Sequence, residues 1–215
     1  MPSKKFVIGT GSLLVWAVSA WAEVSPEELL IPIDVGQDAD YRFELGALDD
    51  VSPQDATAFV VWGSQFLNFR RLELMGELKA RGFKLPPLVC KGAIVSSSAT
   101  LGENCAVGAA SVVGSGCKIG FNSHIGAGAI IGHHSIVGTS AWIADGAQLG
   151  VHAKIGANAS LGRSVVVDDG VSIGRQCVLD LPGRRSSPLP DKTFITTAFP
   201  TGIVVVDGGG AISTS

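Results

Sequence analysis

A six-residue period runs through the second half of this sequence. The residue two positions before each repeated aliphatic residue is mostly small, and the residue after it is often glycine. One inward aliphatic side chain and one tight turn per repeat describe one side of a triangular prism, so three successive repeats make one full coil. The pattern predicts a left-handed parallel β-helix of hexapeptide repeats. The repeated aliphatic residues are Val89, Val95, Leu101, Val107, Val113, Ile119, Ile125, Ile131, Val137, Ile143, Leu149, Ile155, Leu161, Val167, Ile173 and Leu179.

The coil length indicates which side chains lie above one another. Residues that are three repeats apart occupy the same place in successive coils. His134 is therefore predicted to stack on His152, and His124 on Trp142. His133, in "GAIIGHHSIVG", is a candidate general base, because a neutral imidazole can take a proton from a nucleophile. The alternative is that all four histidines are exposed side chains on corners or faces of the prism.

The first eighty residues follow a different pattern. The apolar runs "KKFVIG", "LLIPID" and "TAFVVWG" predict strands, and "SLLVWAVSAWAE" and "FLNFRRLELMGELKARG" predict helices. Alternating strands and helices favour a small α/β domain of Rossmann type with a parallel sheet. We therefore expect a Rossmann-like domain over residues 1–84 and a β-helix domain over 85–181. Residues 182–215 are expected to form a C-terminal loop and capping segment.

The N-terminal residues also allow a second interpretation. "MPSKKFVIGTGSLLVWAVSAWA" has a basic start, an apolar run and an Ala-Trp-Ala end, which imitate a secretory signal peptide. The run is too short and too interrupted by glycine to span a membrane. The alternative is a strand, a Gly-Thr-Gly turn and a helix from Ser12 to Glu23.

Composition narrows the classes of function. Charged residues make up 16% of the chain, the net charge is −3 and no run of Lys or Arg exceeds two residues. A nucleic-acid partner, which requires a basic face, is not expected. Membrane insertion is not expected either, and the expected location is the cytoplasm. The cysteines lack a C-x-x-C pair and no two histidines are five residues apart, so no metal is expected.

The "GTG" after the first predicted strand is a candidate substrate site. Gly9, Gly11 and Ser12 stand where a helix N-terminus behind a glycine turn can hold phosphate through free N–H groups. Asp34, at the end of the second strand, stands where a Rossmann-type domain places an acid near a ribose. The alternatives are an ordinary tight turn and a turn-forming aspartate.

The order of several motifs resembles one known family. The motifs "FVIGTGS", "ALDDV", "AFVVWGSQFLNFRR", "GFKLPPLVCKGAIVSSSATLGENCAVGAASVV" and "GAIIGHHSIVG" together resemble the sialic-acid O-acetyltransferases and their relatives, the N-acetyltransferases of UDP-4-amino-sugars. The resemblance implies an acetyltransferase of surface glycan synthesis that transfers an acyl group from acetyl-CoA to an amine or hydroxyl of a sugar or nucleotide sugar. It also implies a homotrimer with its site between neighbouring subunits.

The same resemblance assigns site residues. The family's catalytic base matches His133, and a second family histidine near the CoA thioester matches Trp142. Together with Gly150 and Gly162, Trp142 is a candidate for binding the cofactor, which is acetyl-CoA as co-substrate.

The sequence departs from the family beside the base. The family has carboxylates flanking the base, whereas this chain has Gly132 and His134. His134 is therefore a second catalytic candidate, which could orient the ring of His133 in place of a carboxylate. The alternative function is a catalytically impaired relative that binds a sugar nucleotide or serves as a scaffold. Arg184 and Arg185 are candidates for CoA phosphates or, alternatively, a solvated pair in a loop.

Overall fold

A computed structural model describes residues 3–36 and 42–206 and the backbone of residues 211–213. The N-terminal part contains three parallel strands, β1 (Lys4–Gly9), β2 (Leu29–Asp34) and β3 (Ala56–Val60), in the order β2-β1-β3. The residues that imitate a signal peptide form the central strand β1 and the helix that follows it. The predicted strands are confirmed. Between β2 and β3, residues 35–36 and 42–55 contain one 3-10 turn, Gly46–Leu48.

Two helices, α1 (Gly11–Val24) and α2 (Phe69–Ala80), cover opposite faces of this sheet. Alternation along β1 explains the arrangement, because successive side chains of a strand point to opposite faces. Ile8 packs with Leu74 of α2, whereas Val7 packs with Leu14 and Ala17 of α1. The N-terminal part is therefore a three-layer α/β unit.

Helix α2 begins later than its sequence predicts. Phe66, Leu67 and Asn68 have left-handed φ angles of 51°, 54° and 61°, and the helix starts at Phe69. Phe66 is 71% exposed and does not contribute to the core. The helical spacing of the apolar residues was misleading here, because Asn68 turns inward to bond the coils instead of continuing the helix.

The repeats form a three-sided parallel β-helix, as the six-residue period predicts. Strands from successive coils, three repeats apart, pair in register into three sheets. The first face contains β4 (Leu88–Val89), β7 (Ala106–Val107), β10 (His124–Ile125), β13 (Trp142–Ile143), β16 (Ser160–Leu161) and β19 (Val178–Leu179). The second face contains β5 (Ile94–Val95), β8 (Val112–Val113), β11 (Ile130–Ile131), β14 (Gln148–Leu149) and β17 (Val165–Val167). The third face contains β6 (Thr100–Leu101), β9 (Lys118–Ile119), β12 (Ile136–Val137), β15 (Lys154–Ile155) and β18 (Ser172–Ile173).

The aliphatic column fills the interior of the prism. From Val107 to Leu179 each member is at most 3% exposed, and small residues such as Ala141 and Cys117 lie buried beside it. The glycine after the aliphatic residue is required where coils meet. A Cβ at Gly132 would lie 2.6 Å from the carbonyl carbon of Gly150 in the next coil.

The coils continue beyond residue 181, into the segment expected to be a loop and a cap. β20 (Gly183–Arg185) extends the second face, Leu189 bridges to Ile173, and β21 (Thr193–Thr196) extends the first face. Ile195 pairs with Leu179, although the segment between them is shorter than three full repeats. The shorter coil breaks the six-residue period, so the pattern did not reveal it. β22 (Phe199–Val205) and β23 (Ala211–Ser213) then pair antiparallel on the same sheet.

The N-terminal unit docks on the first face and on the corner that leads into it. Leu14 of α1 packs in one cluster with the coil residues Leu88 and Ala106. At the corner, the side chain of Asn104 accepts the N–H of Val60 at 2.7 Å and donates to the Val60 carbonyl at 3.0 Å. The Asn104 side chain thereby satisfies the backbone N–H and C=O of Val60, the last residue of β3, as a neighbouring strand would.

Candidate active site

His133 lies at the corner where β11 of the second face turns into β12 of the third face, and its side chain is exposed. Its Nδ1 atom is 3.0 Å from the backbone nitrogen of Ser115 and 2.9 Å from the Ser115 hydroxyl oxygen. Ser115 occupies the same corner one coil earlier. Because a backbone N–H only donates, Nδ1 accepts this hydrogen bond, and the proton of the neutral ring lies on Nε2.

This contact of His133 has counterparts in other coils of the prism. Asp145 Oδ1 accepts the N–H of Ala127 at 3.0 Å, and Asp169 makes the equivalent bond to the coil before it at 2.7 Å. In each case a side-chain acceptor satisfies a backbone donor of the preceding coil. His133 therefore caps a backbone N–H through Nδ1, and Nε2, which carries the proton in this arrangement, is the ring nitrogen without a partner among the described residues.

His134 is part of a different contact. Its φ angle of 58° places it at the left-handed position of the corner, and its ring lies parallel to that of His152, with centroids 5.2 Å apart. The predicted stack is thus confirmed. Among the described residues His134 makes no hydrogen bond to His133. The residue that contacts Nδ1 of His133 is Ser115 and not His134. The adjacent histidine therefore does not orient the His133 ring.

A pocket of about 340 Å³ opens at the carboxyl ends of β1 and β3, which we call the N-terminal pocket. Two of the predicted substrate residues, Gly11 and Ser12, line it as part of the first turn of α1. The unpaired N–H groups of a helix start favour an anion there, and Arg70, whose guanidinium is ion-paired with Glu73, also lines the pocket. Its lining consists of Thr10, Gly11, Ser12, Leu13, Trp62, Gly63, Gln65, Phe66 and Arg70.

The other two predicted substrate residues lie at the same edge of the sheet. Gly9 ends β1 and pairs in register with Asp34, which ends β2 and is exposed. A Cβ at Gly9 would lie 2.2 Å from the carbonyl oxygen of Val61, so the chain can pass here only with glycine. Neither Gly9 nor Asp34 lines the N-terminal pocket itself.

A second pocket of about 370 Å³, the aromatic pocket, lies between α1 and the first face. The rings of His124 and Trp142 stack with centroids 3.9 Å apart, as the coil length predicts. Trp16 of α1 meets His124 edge-on at 5.6 Å. Leu13 lines both pockets, which makes them neighbours. The lining comprises Leu13, Trp16, Gly108, Ala109, His124, Ala127, Trp142, Asp145 and Arg163.

The three predicted cofactor residues do not lie together. Trp142 lines the aromatic pocket, and Gly162 directly precedes Arg163 of the same pocket. Gly150 lies at the His133 corner, one coil after Gly132 and in contact with it. The structure therefore divides these residues between the aromatic pocket and the His133 corner.

Arg71 of α2 connects the N-terminal unit to the coils. It is 3% exposed, and its guanidinium donates five hydrogen bonds of 3.1–3.4 Å. Burial lowers the pKa of Arg71 to about 9, which leaves it protonated at neutral pH. Among the described residues no carboxylate lies within ion-pair distance. The acceptors are the carbonyl oxygens of Trp62, Asn122, Ser140 and Ala141 and the side-chain oxygen of Asn68.

His124 is held neutral by its surroundings. Burial, and secondly the positive charge of Arg71, lower the pKa of His124 to about 3. The ring is half-buried, and no hydrogen bond reaches either of its nitrogens from the described part of the chain. His124 therefore presents a neutral imidazole with unpaired ring nitrogens in the aromatic pocket.

The other side chains that the sequence suggests for binding or catalysis already have partners or are buried. Arg184 donates to both oxygens of Asp168, at 2.7 and 2.9 Å, and Arg185 donates to the carbonyl of Leu181 at 3.0 Å. All four cysteines are buried free thiols. Within residues 3–36 and 42–206 no three His, Cys, Asp or Glu side chains are grouped as metal ligands, and no helix there is long and apolar enough to cross a membrane.

The His133 corner and the two pockets lie on different sides of the prism. The N-terminal unit covers the first face, whereas the corner of His133 joins the second and third faces. The body of the prism therefore separates His133 from the pockets of its own chain. The outward residues on either side of the corner, Ile130 and Ile136, are 44% and 41% exposed.

Sequence reasoning did not identify three of these residues. Ser115 could have been found by counting repeats, since it lies one coil before His133. Trp16 and Arg71 read as ordinary helix residues. Their roles depend on how the two helices dock on the first face, for which the sequence carries no local signal.

Comparison with known proteins supports the fold along the whole chain. The family model described as the hexapeptide repeat of succinyl-transferase matches residues 99–133, 129–163 and 152–180. No curated protein matches the sequence. The acetyltransferase domain of PglB from Neisseria gonorrhoeae is 21% identical with a TM-score of 0.77, over 99% of this chain and 100% of that domain.

A second solved structure is similar over the same length. PerB from Caulobacter crescentus, in complex with CoA and GDP-perosamine, is 23% identical with a TM-score of 0.76, over 99% of this chain and 97% of PerB. The gonococcal domain in complex with acetyl coenzyme A gives 22% identity and a TM-score of 0.62, with 100% of both chains covered. The fold that the resemblance implies is confirmed: this chain carries hexapeptide repeats and shares the fold of the PglB acetyltransferase domain and of PerB.

Proposed function

We propose that this protein is an acetyl-CoA-dependent acetyltransferase that acylates an amine or hydroxyl of a nucleotide-linked sugar for glycan synthesis. One observation carries the proposal: the fold agrees along nearly the whole chain with sugar acetyltransferases solved with CoA, acetyl-CoA or GDP-perosamine. Because acetyl-CoA and nucleotide sugars are cytoplasmic metabolites, the expected location is the cytoplasm.

The N-terminal unit is proposed to bind the nucleotide in the manner of a Rossmann-like domain. The diphosphate would lie in the N-terminal pocket, against the first turn of α1 at Gly11 and Ser12, with Arg70 beside it. Asp34 stands one strand away, at the position suited to a ribose hydroxyl. The residue ranges 1–84 and 85–181 then correspond to acceptor binding and to acyl transfer.

His133 is proposed as the general base. As the acceptor nitrogen or oxygen attacks the thioester carbonyl, the imidazole takes its proton. The carbon–sulfur bond then breaks, and the proton passes to the CoA sulfur, which leaves as the free thiol. The products are the acylated sugar and CoA, and His133 returns to its neutral state.

Ser115 determines whether His133 can act in this way. Nε2 can take a proton only in the tautomer that carries its hydrogen on Nδ1. In that tautomer the Ser115 hydroxyl, 2.9 Å away, is the acceptor for the Nδ1 hydrogen. The backbone N–H of Ser115, at 3.0 Å, favours the opposite tautomer. The hydroxyl is therefore the group that makes a basic Nε2 possible in place of the flanking carboxylates.

Replacing Ser115 with alanine is expected to lower kcat about tenfold or more, with KM values unchanged. The variant keeps the N–H that places the proton on Nε2 and loses the oxygen that accepts a hydrogen on Nδ1, so general-base catalysis, worth about 10²–10⁴-fold, is weakened. Steady-state kinetics on an active acceptor measures the split. The matched control is Ser98→Ala. Ser98 lies at the same corner one coil before Gly116, and its hydroxyl accepts the N–H of Gly116 without contacting His133. Equal kcat for Ser115→Ala and the parent protein would show that Ser115 does not orient the base.

The assembly is proposed to be a homotrimer with its site between subunits. The prism separates His133 from both pockets of its own chain, so a complete site requires the His133 corner of a neighbouring copy. The exposed Ile130 and Ile136 provide apolar surface beside that corner. Light scattering at micromolar concentration is expected to give three times the 22.1 kDa chain mass, and a monomer would contradict the shared site.

The second candidate function is a relative that binds the sugar nucleotide without catalysis. It is favoured by one observation, the Ser115 N–H that holds the His133 proton on Nε2 in the absence of a flanking carboxylate. Calorimetric titration with acetyl-CoA separates the two functions. Saturable binding, one molecule per chain, is expected for the enzyme, and a protein that binds no acetyl-CoA cannot carry out the proposed reaction.

A further inference from the structure

His124 is the one side chain in the lining of the aromatic pocket that can both donate and accept a hydrogen bond. The charged groups of the pocket, Asp145 and Arg163, face each other at 3.6 Å, and Asp145 also accepts the N–H of Ala127. The remaining walls are apolar or aromatic. Among the described residues, neither ring nitrogen of His124 makes a hydrogen bond, and the indole N–H groups of Trp16 and Trp142 in the same pocket are also without an acceptor.

The ring of His124 is held in place from two sides. Trp142 stacks on it at 3.9 Å with an angle of 14°, and Trp16 meets it edge-on at 5.6 Å. Arg71 lies 5.2 Å from the centre of the Trp142 ring and is itself fixed by five hydrogen bonds. A rigid ring with free nitrogens, half-buried in a concave wall, is suited to bind a ligand that carries a hydrogen-bonding group.

The pocket adjoins the place where the nucleotide would end. Leu13 lines both the aromatic pocket and the N-terminal pocket. A group attached to a diphosphate at the start of α1 would therefore pass Leu13 and enter the space between Trp16 and Trp142. The pocket volume, about 370 Å³, lies at the lower end of the range of small-molecule sites, about 300–1,000 Å³.

We propose that the aromatic pocket holds the sugar ring of the acceptor and that His124 determines specificity by hydrogen-bonding one of its hydroxyl or amino groups. The proposal rests on the proposed function, because it assumes a nucleotide sugar in the N-terminal pocket. The apolar and aromatic walls suit the apolar face of a pyranose ring. Since the imidazole is neutral, it can both donate and accept, as a hydroxyl partner requires.

The test compares a nucleotide sugar with the nucleotide alone. GDP and GDP-perosamine, and UDP and a UDP-4-amino-6-deoxy sugar, are titrated by calorimetry into the full-length parent protein and into His124→Phe. Phenylalanine keeps the stack on Trp142 and removes both ring nitrogens. In the parent the sugar is expected to raise affinity over the matching diphosphate for at least one pair. In His124→Phe this gain falls about tenfold, because a buried polar group of the sugar loses its partner, while the affinity for the diphosphate itself stays the same.

Two further variants guard against a folding artefact. His124→Gln retains an amide near the position of Nε2 and is expected to recover most of the sugar's gain. Arg81→Met removes an exposed ion pair with Asp49 at the end of α2, away from this pocket, and is expected to change nothing. The proposal is overturned if His124→Phe keeps the full gain, if the parent shows no gain for any pair, or if His124→Phe weakens acetyl-CoA instead. These titrations require no catalysis. A protein that binds nucleotide sugars but not acetyl-CoA would therefore contradict the proposed enzyme and still support this sugar site.

Discussion

Replacing His133 with alanine is expected to lower kcat by about 10²–10⁴-fold, the usual contribution of general acid–base catalysis. The exposed side chain contributes little to the aliphatic core, so the fold and acetyl-CoA binding should survive. Alanine also removes the hydrogen bond from the Ser115 N–H to Nδ1. Its loss should cost about 0.5–1.5 kcal/mol of unfolding free energy.

A second substitution at His133 separates the capping bond from the chemistry. In His133→Asn the amide oxygen can accept the Ser115 N–H, as Asp145 and Asp169 do at their corners, but the side chain cannot act as a base. We expect parental stability with the same loss of kcat as the alanine variant. His134→Ala, at the next position, is the matched control and should retain most activity, because His134 stacks on His152 and not on His133. Full activity in His133→Asn would place the base elsewhere.

Replacing Arg71 with methionine is expected to lower the free energy of unfolding by about 3–5 kcal/mol, the scale of breaking a buried charged network. Methionine fills much of the volume but leaves four acceptors on both sides of the domain junction without a donor, since only the Ala141 carbonyl keeps another bond, from the N–H of His124. Each unsatisfied buried acceptor costs about 1–3 kcal/mol where water cannot reach it. Arg71→Lys should recover little of this, since an ammonium cannot reproduce the planar fork of the guanidinium.

Urea unfolding followed by circular dichroism at a fixed protein concentration measures this loss. Arg81→Met, at the end of the same helix, removes an exposed ion pair with Asp49. It should change the unfolding free energy by less than about 1 kcal/mol. Similar midpoints for the two methionine variants would contradict the role of Arg71 as the anchor between the N-terminal unit and the coils.

The sequence predicted most of the β-helix because its structure is periodic. One aliphatic residue per repeat specifies the inward column, and three repeats per coil specify which side chains stack, including His124 on Trp142. The six-residue spacing did not predict the positions of Leu189 and Ile195, because the last coil is shorter than three repeats. It also could not anticipate Phe66, Leu67 and Asn68, whose left-handed backbone interrupts an apparently helical pattern.

The candidate site was only partly accessible from the sequence. The sequence shows that His133 is present and that the flanking carboxylates are absent. It does not predict the hydrogen bond from Ser115, because a corner side chain can point toward either neighbouring coil or toward solvent. The aromatic pocket arises where Trp16 of α1 meets His124, which lies far along the chain. Contacts of this kind depend on tertiary docking, for which neither periodicity nor spacing provides information.

The most direct test of the central claim is acyl transfer itself. The purified protein is incubated with acetyl-CoA and a panel of UDP-, dTDP- and GDP-linked amino sugars, while release of the CoA thiol is followed and the mass of the sugar product is measured by mass spectrometry. We predict thiol release that requires one acceptor of the panel, matches the amount of mono-acetylated sugar formed, and is lost in His133→Asn. An intact trimer that binds acetyl-CoA and nucleotide sugars yet releases no thiol with any acceptor would contradict the account.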